Sequence, residues 1–162
     1  MWKGLITLSA ALLALATTVV APQEKPSVPG IDAIATRQDA MDMSSITLRS
    51  MVDAMKAGQE PKTQAYPAAA LEKWAKVLPK MFPAGTGEGE ASVNSQALPT
   101  IWRDRTGFDK AATDYADATA RLAVLAAQND TAGFTRQLDE VHNACNSCHI
   151  RYKAGAQGPP SK

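Results

Sequence analysis

The sequence predicts an all-α protein, an antiparallel four-helix bundle. Three observations lead there. Apolar residues recur at three- and four-residue spacing through four segments of the 162-residue chain. No run alternates apolar and polar residues with the period of two that a strand requires. Alanine is abundant through the same segments.

The first twenty-odd residues stand apart. Lys3 precedes an apolar run from Leu5 to Leu15, and small residues follow to Ala21. That is the layout of a cleaved secretory signal, with cleavage expected after Ala21. The Thr17-Thr18 pair leaves the run shorter than the ~20 residues a membrane span needs. Residues 1–21 are therefore read as a signal peptide and 22–162 as one four-helix domain of an exported protein. The whole chain has 17 basic and 16 acidic side chains, so it offers no broad basic surface for nucleic acid. No second apolar run suits a membrane, so no stable insertion is expected after cleavage.

The first helix spans about Gly30 to Ala57. Ile34, Met41, Leu48 and Met55 recur every seven residues, with Gln38, Ser45 and Val52 interleaved, and Gly58 and Pro61 stop the run. The second spans about Pro67 to Leu78, where Leu71, Trp74, Ala75 and Leu78 share a face and Pro79 ends it. Residues 79–98 are rich in glycine, proline and serine and read as a loop. So long a loop in a small domain points to packing or function nearby, with Phe82 expected to tuck inward. The third helix runs from about Pro99 to Gln128, with Ile101, Trp102, Phe108, Ala112, Tyr115, Ala116, Leu122 and Leu125 on its apolar face. The fourth follows Asp130, an N-cap residue type, and lines up Phe134, Leu138, Val141, Cys145, Cys148 and Tyr152 to end near Gly155. The last residues are expected to fray.

On that fourth helix stands "CNSCH", with the only two cysteines in the chain. C-x-x-C-H is the attachment sequence for a c-type haem. Cys145 and Cys148 lie about one helical turn apart, a spacing that suits thioethers to two haem vinyl groups, and His149 follows as proximal iron ligand. A redox disulfide of thioredoxin type would need a βαβ unit, which the helical pattern lacks. Structural zinc needs four ligands in a tetrahedron. His142, Cys145, Cys148 and His149 all lie on one helix and cannot close around an ion. His142 sits about 10 Å along the axis from His149 and cannot reach the far face of a haem, so it is read as a surface or locally bonded histidine. A distal iron ligand would come from another helix, and a methionine thioether suits haem iron. Met41 lies on the inward stripe of the first helix, Met43 is about 200° around from it, and Met55 is about 21 Å further along. Periodicity alone leaves Met41 between iron ligand and core filling.

With its haem motif on the last of four helices, the chain resembles the class II c-type cytochromes: cytochrome c′ and its low-spin six-coordinate relatives. "TRQDAMDMSSITLRSMVDAMKAGQEP" is similar to the family's opening helix, and "LPKMF…GTGEG…IWRDRTGFD" to its loop and third helix. The resemblance implies a four-helix bundle holding one covalent haem c. It implies that the position four after Arg37 faces the distal side of the haem: apolar in five-coordinate members, an iron-bound methionine in low-spin ones. That position is Met41. Arg37 would then be a charge partner for a haem propionate. Tyr152 matches the family, but the arginine that often follows is Lys153 here, which keeps charge and loses the planar fork.

The expected function is that of an electron carrier and not an enzyme: a periplasmic monohaem cytochrome with iron bound by His149 and Met41, meeting redox partner proteins transiently. The alternative is a five-coordinate protein of cytochrome c′ type that binds nitric oxide or carbon monoxide. A peroxidase would need a distal acid–base histidine, and none is placed for it. The first helix of a bundle can pair with its own copy, so a homodimer is compatible with the sequence.

Overall fold

The computed structural model describes residues 29–89 and 94–156. The signal-peptide reading of residues 1–21 and the frayed end beyond 156 fall outside the described residues. Five α-helices follow in order: α1 (Pro29–Lys56), α2 (Ala65–Val77), α3 (Thr100–Arg103), α4 (Arg105–Ala127) and α5 (Thr131–Tyr152). Two short 3₁₀ turns, Pro61–Gln64 and Leu78–Met81, flank α2. The long helices α1, α2, α4 and α5 make the bundle. None of the described helices is long and apolar enough to cross a membrane.

Each boundary has a local cause. Gly58 takes a φ of 75°, which ends α1 at a cost other residues would bear in full. Pro61 and Pro79 each open a 3₁₀ turn, where a missing N–H is harmless. Asp130 caps α5, its carboxylate accepting the Gly133 N–H at 2.9 Å. The expected third helix divides at Asp104. That residue leaves helical geometry (φ −116°, ψ 58°) and caps α4 by accepting the Gly107 N–H at 3.0 Å. The turn before it, α3, is thus separate from α4.

The main core gathers Leu48 and Met51 of α1, Leu71 and Ala75 of α2, Tyr115 and Leu122 of α4, and Phe134, Leu138 and Val141 of α5. A smaller core holds Ala97, Ile101, Phe108 and Tyr152, with Phe82 packed on it. Phe82 turns inward as expected and meets Phe108 edge-on, ring centroids 4.9 Å apart. The seven-residue stripe expected on α1 needs one correction. Ile34 and Leu48 are buried, but Gln38 and Ser45 are exposed, while Arg37, Met51 and Ala54 are buried instead. A straight α-helix turns every 3.6 residues, so its buried face drifts off a strict heptad. α4 packs closely along α2 and α5. α1 meets α5 more sparsely, and between those two lies a cavity.

Candidate haem site

The site is built from one wall on α1 and one on α5. Cys145 and Cys148 are half-buried on the inward side of α5, and no disulfide joins them. His149 is half-buried beside them and His142 is exposed at the rim. Opposite, Met41, Ser44, Ser45 and Leu48 of α1 face the gap. Two cavities, about 200 and about 540 Å³, occupy it, and both are bounded by Met41, Ser45, Leu78, Cys148 and His149. The larger lies within the 300–1,000 Å³ typical of cofactor pockets. Met43 is 60 % exposed and faces away. Met51 and Met55 are taken up by the main core. Of the methionines on α1, Met41 is therefore the one placed on the wall that faces His149.

The electrostatics of these groups match haem attachment better than thiol redox chemistry. Burial pushes the Cys145 thiol up to about 11. Cys148 is also pushed to about 11, by burial and then by the neighbouring Cys145. A thioredoxin-like pair needs the reverse, a thiol lowered toward neutrality. His149 is held below the ordinary histidine range, first by burial and then by the Lys153 ammonium. That favours the neutral imidazole, the form that ligates a metal. Among the described residues no three His, Cys, Asp or Glu side chains gather into a metal cage. The donor set and the cavity fit a planar macrocycle fixed to α5 and flanked by α1.

Arg37 is 4 % exposed and lies on the wall of the larger cavity. Its guanidinium has no ion pair among the described residues. It donates to Thr86 Oγ1 at 2.8 Å, Ser95 Oγ at 2.8 Å and the Met81 carbonyl at 3.2 Å, and also to the Thr86 carbonyl. Its cation rests 4.7 Å from the Phe82 ring centroid. Burial lowers its pKa, and these oxygens and the ring face are what compensate the charge. Sequence reasoning missed Thr86 and Ser95, both buried in the 79–98 loop. Their partner lies some fifty residues away, so no local pattern marks them.

The end of α5 is held in place from outside. The Tyr152 hydroxyl donates to Asp104 at 2.9 Å, and Arg151 pairs with the same carboxylate at 3.1 Å. The Leu98 N–H reaches the Tyr152 carbonyl at 3.0 Å, and the Ala154 N–H reaches the Gln96 carbonyl at 2.8 Å. Ala97 and Lys153 form an isolated antiparallel bridge. Thr100 Oγ1 donates to the Arg151 carbonyl at 3.1 Å.

A helical bundle whose last helix presents two thiols and an imidazole to a cavity defines a haem-carrying bundle. The comparisons agree. The family model described as Cytochrome C′ matches residues 32–153. Cytochrome c′ of Rhodospirillum rubrum is 30% identical over 146 residues, covering 90% of this chain and 95% of that protein. The solved cytochrome c′ of Rubrivivax gelatinosus superposes with a TM-score of 0.67 at 26% identity, covering 76% of this chain and 96% of that one. A further cytochrome c′ structure, of a protein with ligand-controlled dimer dissociation, superposes with a TM-score of 0.73 at 19% identity, covering 79% and 98%. The chain belongs to the cytochrome c′ family. It is a class II c-type cytochrome with a four-helix fold and one covalent haem c.

Proposed function

We propose that this protein is a periplasmic monohaem cytochrome that binds a small gas, nitric oxide or carbon monoxide, at the distal face of its haem. The observation that carries this reading is the family match along nearly the whole described chain, with relatives called cytochrome c′ matched over most of their length. It is supported by the cytochrome c′ whose dimer responds to a ligand and by the cavity beside Met41. When bound, the haem supplies an iron that changes oxidation state and accepts an axial ligand.

The chain's own residues do the rest. Cys145 and Cys148 would hold the group as thioethers, and His149 would offer its neutral imidazole to the iron. Met41 stands on the wall across the cavity from His149, where its thioether would compete with an incoming gas. The apolar walls made by Leu48, Leu71, Leu78 and Val141 exclude water. Arg37 has its terminal nitrogens on loop oxygens, so a propionate would meet its Nε–H and its charge. A homodimer belongs to the same reading.

A second reading is favoured by one observation, the inward placement of Met41. If that thioether stays bound in both oxidation states, the protein carries single electrons between transient redox partners and takes no gas.

Optical spectroscopy of the purified haem protein separates the two. The gas reading expects a high-spin ferric fraction and carbon monoxide binding by the ferrous wild type. It expects Met41→Leu to bind carbon monoxide more tightly, because a competitor is gone. A wild type that is wholly low-spin and refuses carbon monoxide overturns the gas reading in favour of the electron carrier.

A further inference from the structure

The loop that the sequence marked as too long to be idle joins the two walls of the haem cavity. On one side, Arg37 donates to Ser95 Oγ, and Gln38 Nε2 donates to the Asn94 carbonyl, each at 2.8 Å. On the other, Gln96 and Leu98 hydrogen-bond the backbone of Ala154 and Tyr152, and Ala97 bridges Lys153. Ser95 is itself fixed: it donates to the Thr86 carbonyl at 2.8 Å and accepts the Ala97 N–H at 3.3 Å. Five consecutive residues, 94–98, thus run from α1 to the end of α5.

The attachment points are placed for leverage. Arg37 is four residues before Met41, one turn of α1. Tyr152 is three residues after His149, the next turn of α5. Both Met41 and His149 border both cavities. Direct packing between α1 and α5 is sparse, so at this end of the bundle the width of the gap is set through the 79–98 loop, by this run and by the contacts of Arg37 with Met81, Phe82 and Thr86.

We propose that residues 94–98 are a tie that sets the spacing of the haem slot, with Arg37 and Ser95 as positioning residues for the distal wall. This rests on the haem reading above. Loosening the tie lets α1 draw back, moves Met41 away from the iron side of the slot, and opens the distal face to a ligand. The coupling needs no contact between Ser95 and the haem.

The test uses the haem-loaded protein. Ser95→Ala removes the one acceptor of Arg37 that lies within residues 94–98, and Ser95→Thr keeps a hydroxyl. Asp130→Ala, which uncaps α5 at its other end, controls for general destabilisation. The tie predicts that Ser95→Ala raises ferrous carbon monoxide affinity about tenfold and increases the high-spin ferric fraction, a shift well within what a small bias on two conformers yields. Ser95→Thr should return both toward wild type, and Asp130→Ala should leave both unchanged. Equal affinity and spin state in Ser95→Ala and wild type would overturn the tie. So would an equal shift in Asp130→Ala. Amide hydrogen exchange separates this from failure of the haem reading. Ser95→Ala should speed exchange at Leu98 and Ala154 whether or not haem is bound, and unchanged protection there also overturns the tie.

Discussion

At the scale of single residues, Asp104 does the most with the least cover. It is exposed, yet it caps α4, accepts the Tyr152 hydroxyl and pairs with Arg151. Those contacts, the Tyr152 hydrogen bond foremost, hold its carboxyl below the usual carboxylate range. The sign of the pH effect follows. A carboxyl that ionises more readily in the folded chain adds stability above its unfolded pKa of about 3.9, and that contribution is lost as pH falls through its lower folded value. Asp104→Asn can still accept hydrogen bonds but carries no charge to lose. We expect the wild type to be the more stable at pH 7 and the gap to narrow by pH 2, read from urea unfolding midpoints at the two pH values. Gly107 shows how tightly this corner is built: a Cβ there would strike the Asp104 carboxylate and come within 2.7 Å of the Tyr152 hydroxyl.

At the scale of elements, caps and register decide what could be read in advance. The α5 helix was legible throughout, because its apolar positions from Phe134 to Tyr152 keep one face and an N-cap aspartate announces its start. Its cap carries a prediction: Asp130→Ala should cost about 1 kcal/mol, lowering the thermal midpoint by a few degrees in a melt followed by circular dichroism. The division between α3 and α4 was not legible. Nothing in "IWRDRTG" breaks a helical pattern outright, and the aspartate's choice to cap depends on Tyr152 and Arg151 arriving from the far end of the chain. On α1 the heptad pattern placed Ile34, Met41 and Leu48 correctly but buried Gln38 and Ser45 and passed over Met51. Arg37 was the harder case. A charged residue on a helix reads as solvated, and only the loop oxygens that gather around it in three dimensions explain its burial. The attachment motif, in contrast, is a local spelling, and its chemistry was readable from five letters.

At the scale of the whole molecule, the bundle is close-packed on one side and divided on the other. α2, α4 and α5 share a continuous core that α1 joins through Leu48 and Met51, whereas the stretch of α1 from Arg37 to Ser45 is parted from α5 by a cavity. A covalently attached occupant stays with the unfolded chain, so it stabilises the fold through the contacts it makes in the slot, and removing it leaves the walls without partner atoms. The Cys145→Ser/Cys148→Ser chain, prepared without haem, should therefore melt below the haem-loaded protein. Its loss of amide protection should concentrate in α1 and spare α4. Uniform loss across all helices would contradict this division of the core.

The tie has a consequence in time. Its links join residues 58 positions apart at Arg37 and Ser95 and more than fifty apart at Ala97 and Lys153. Helices close through neighbours four residues away, while distant pairs must first overcome the entropy of the intervening chain. The bundle's cylinders can thus form early, and the slot between the first and last of them takes its final width only when the loop locks across both. The cavity wall that decides what reaches the iron would be the last part of the domain to set.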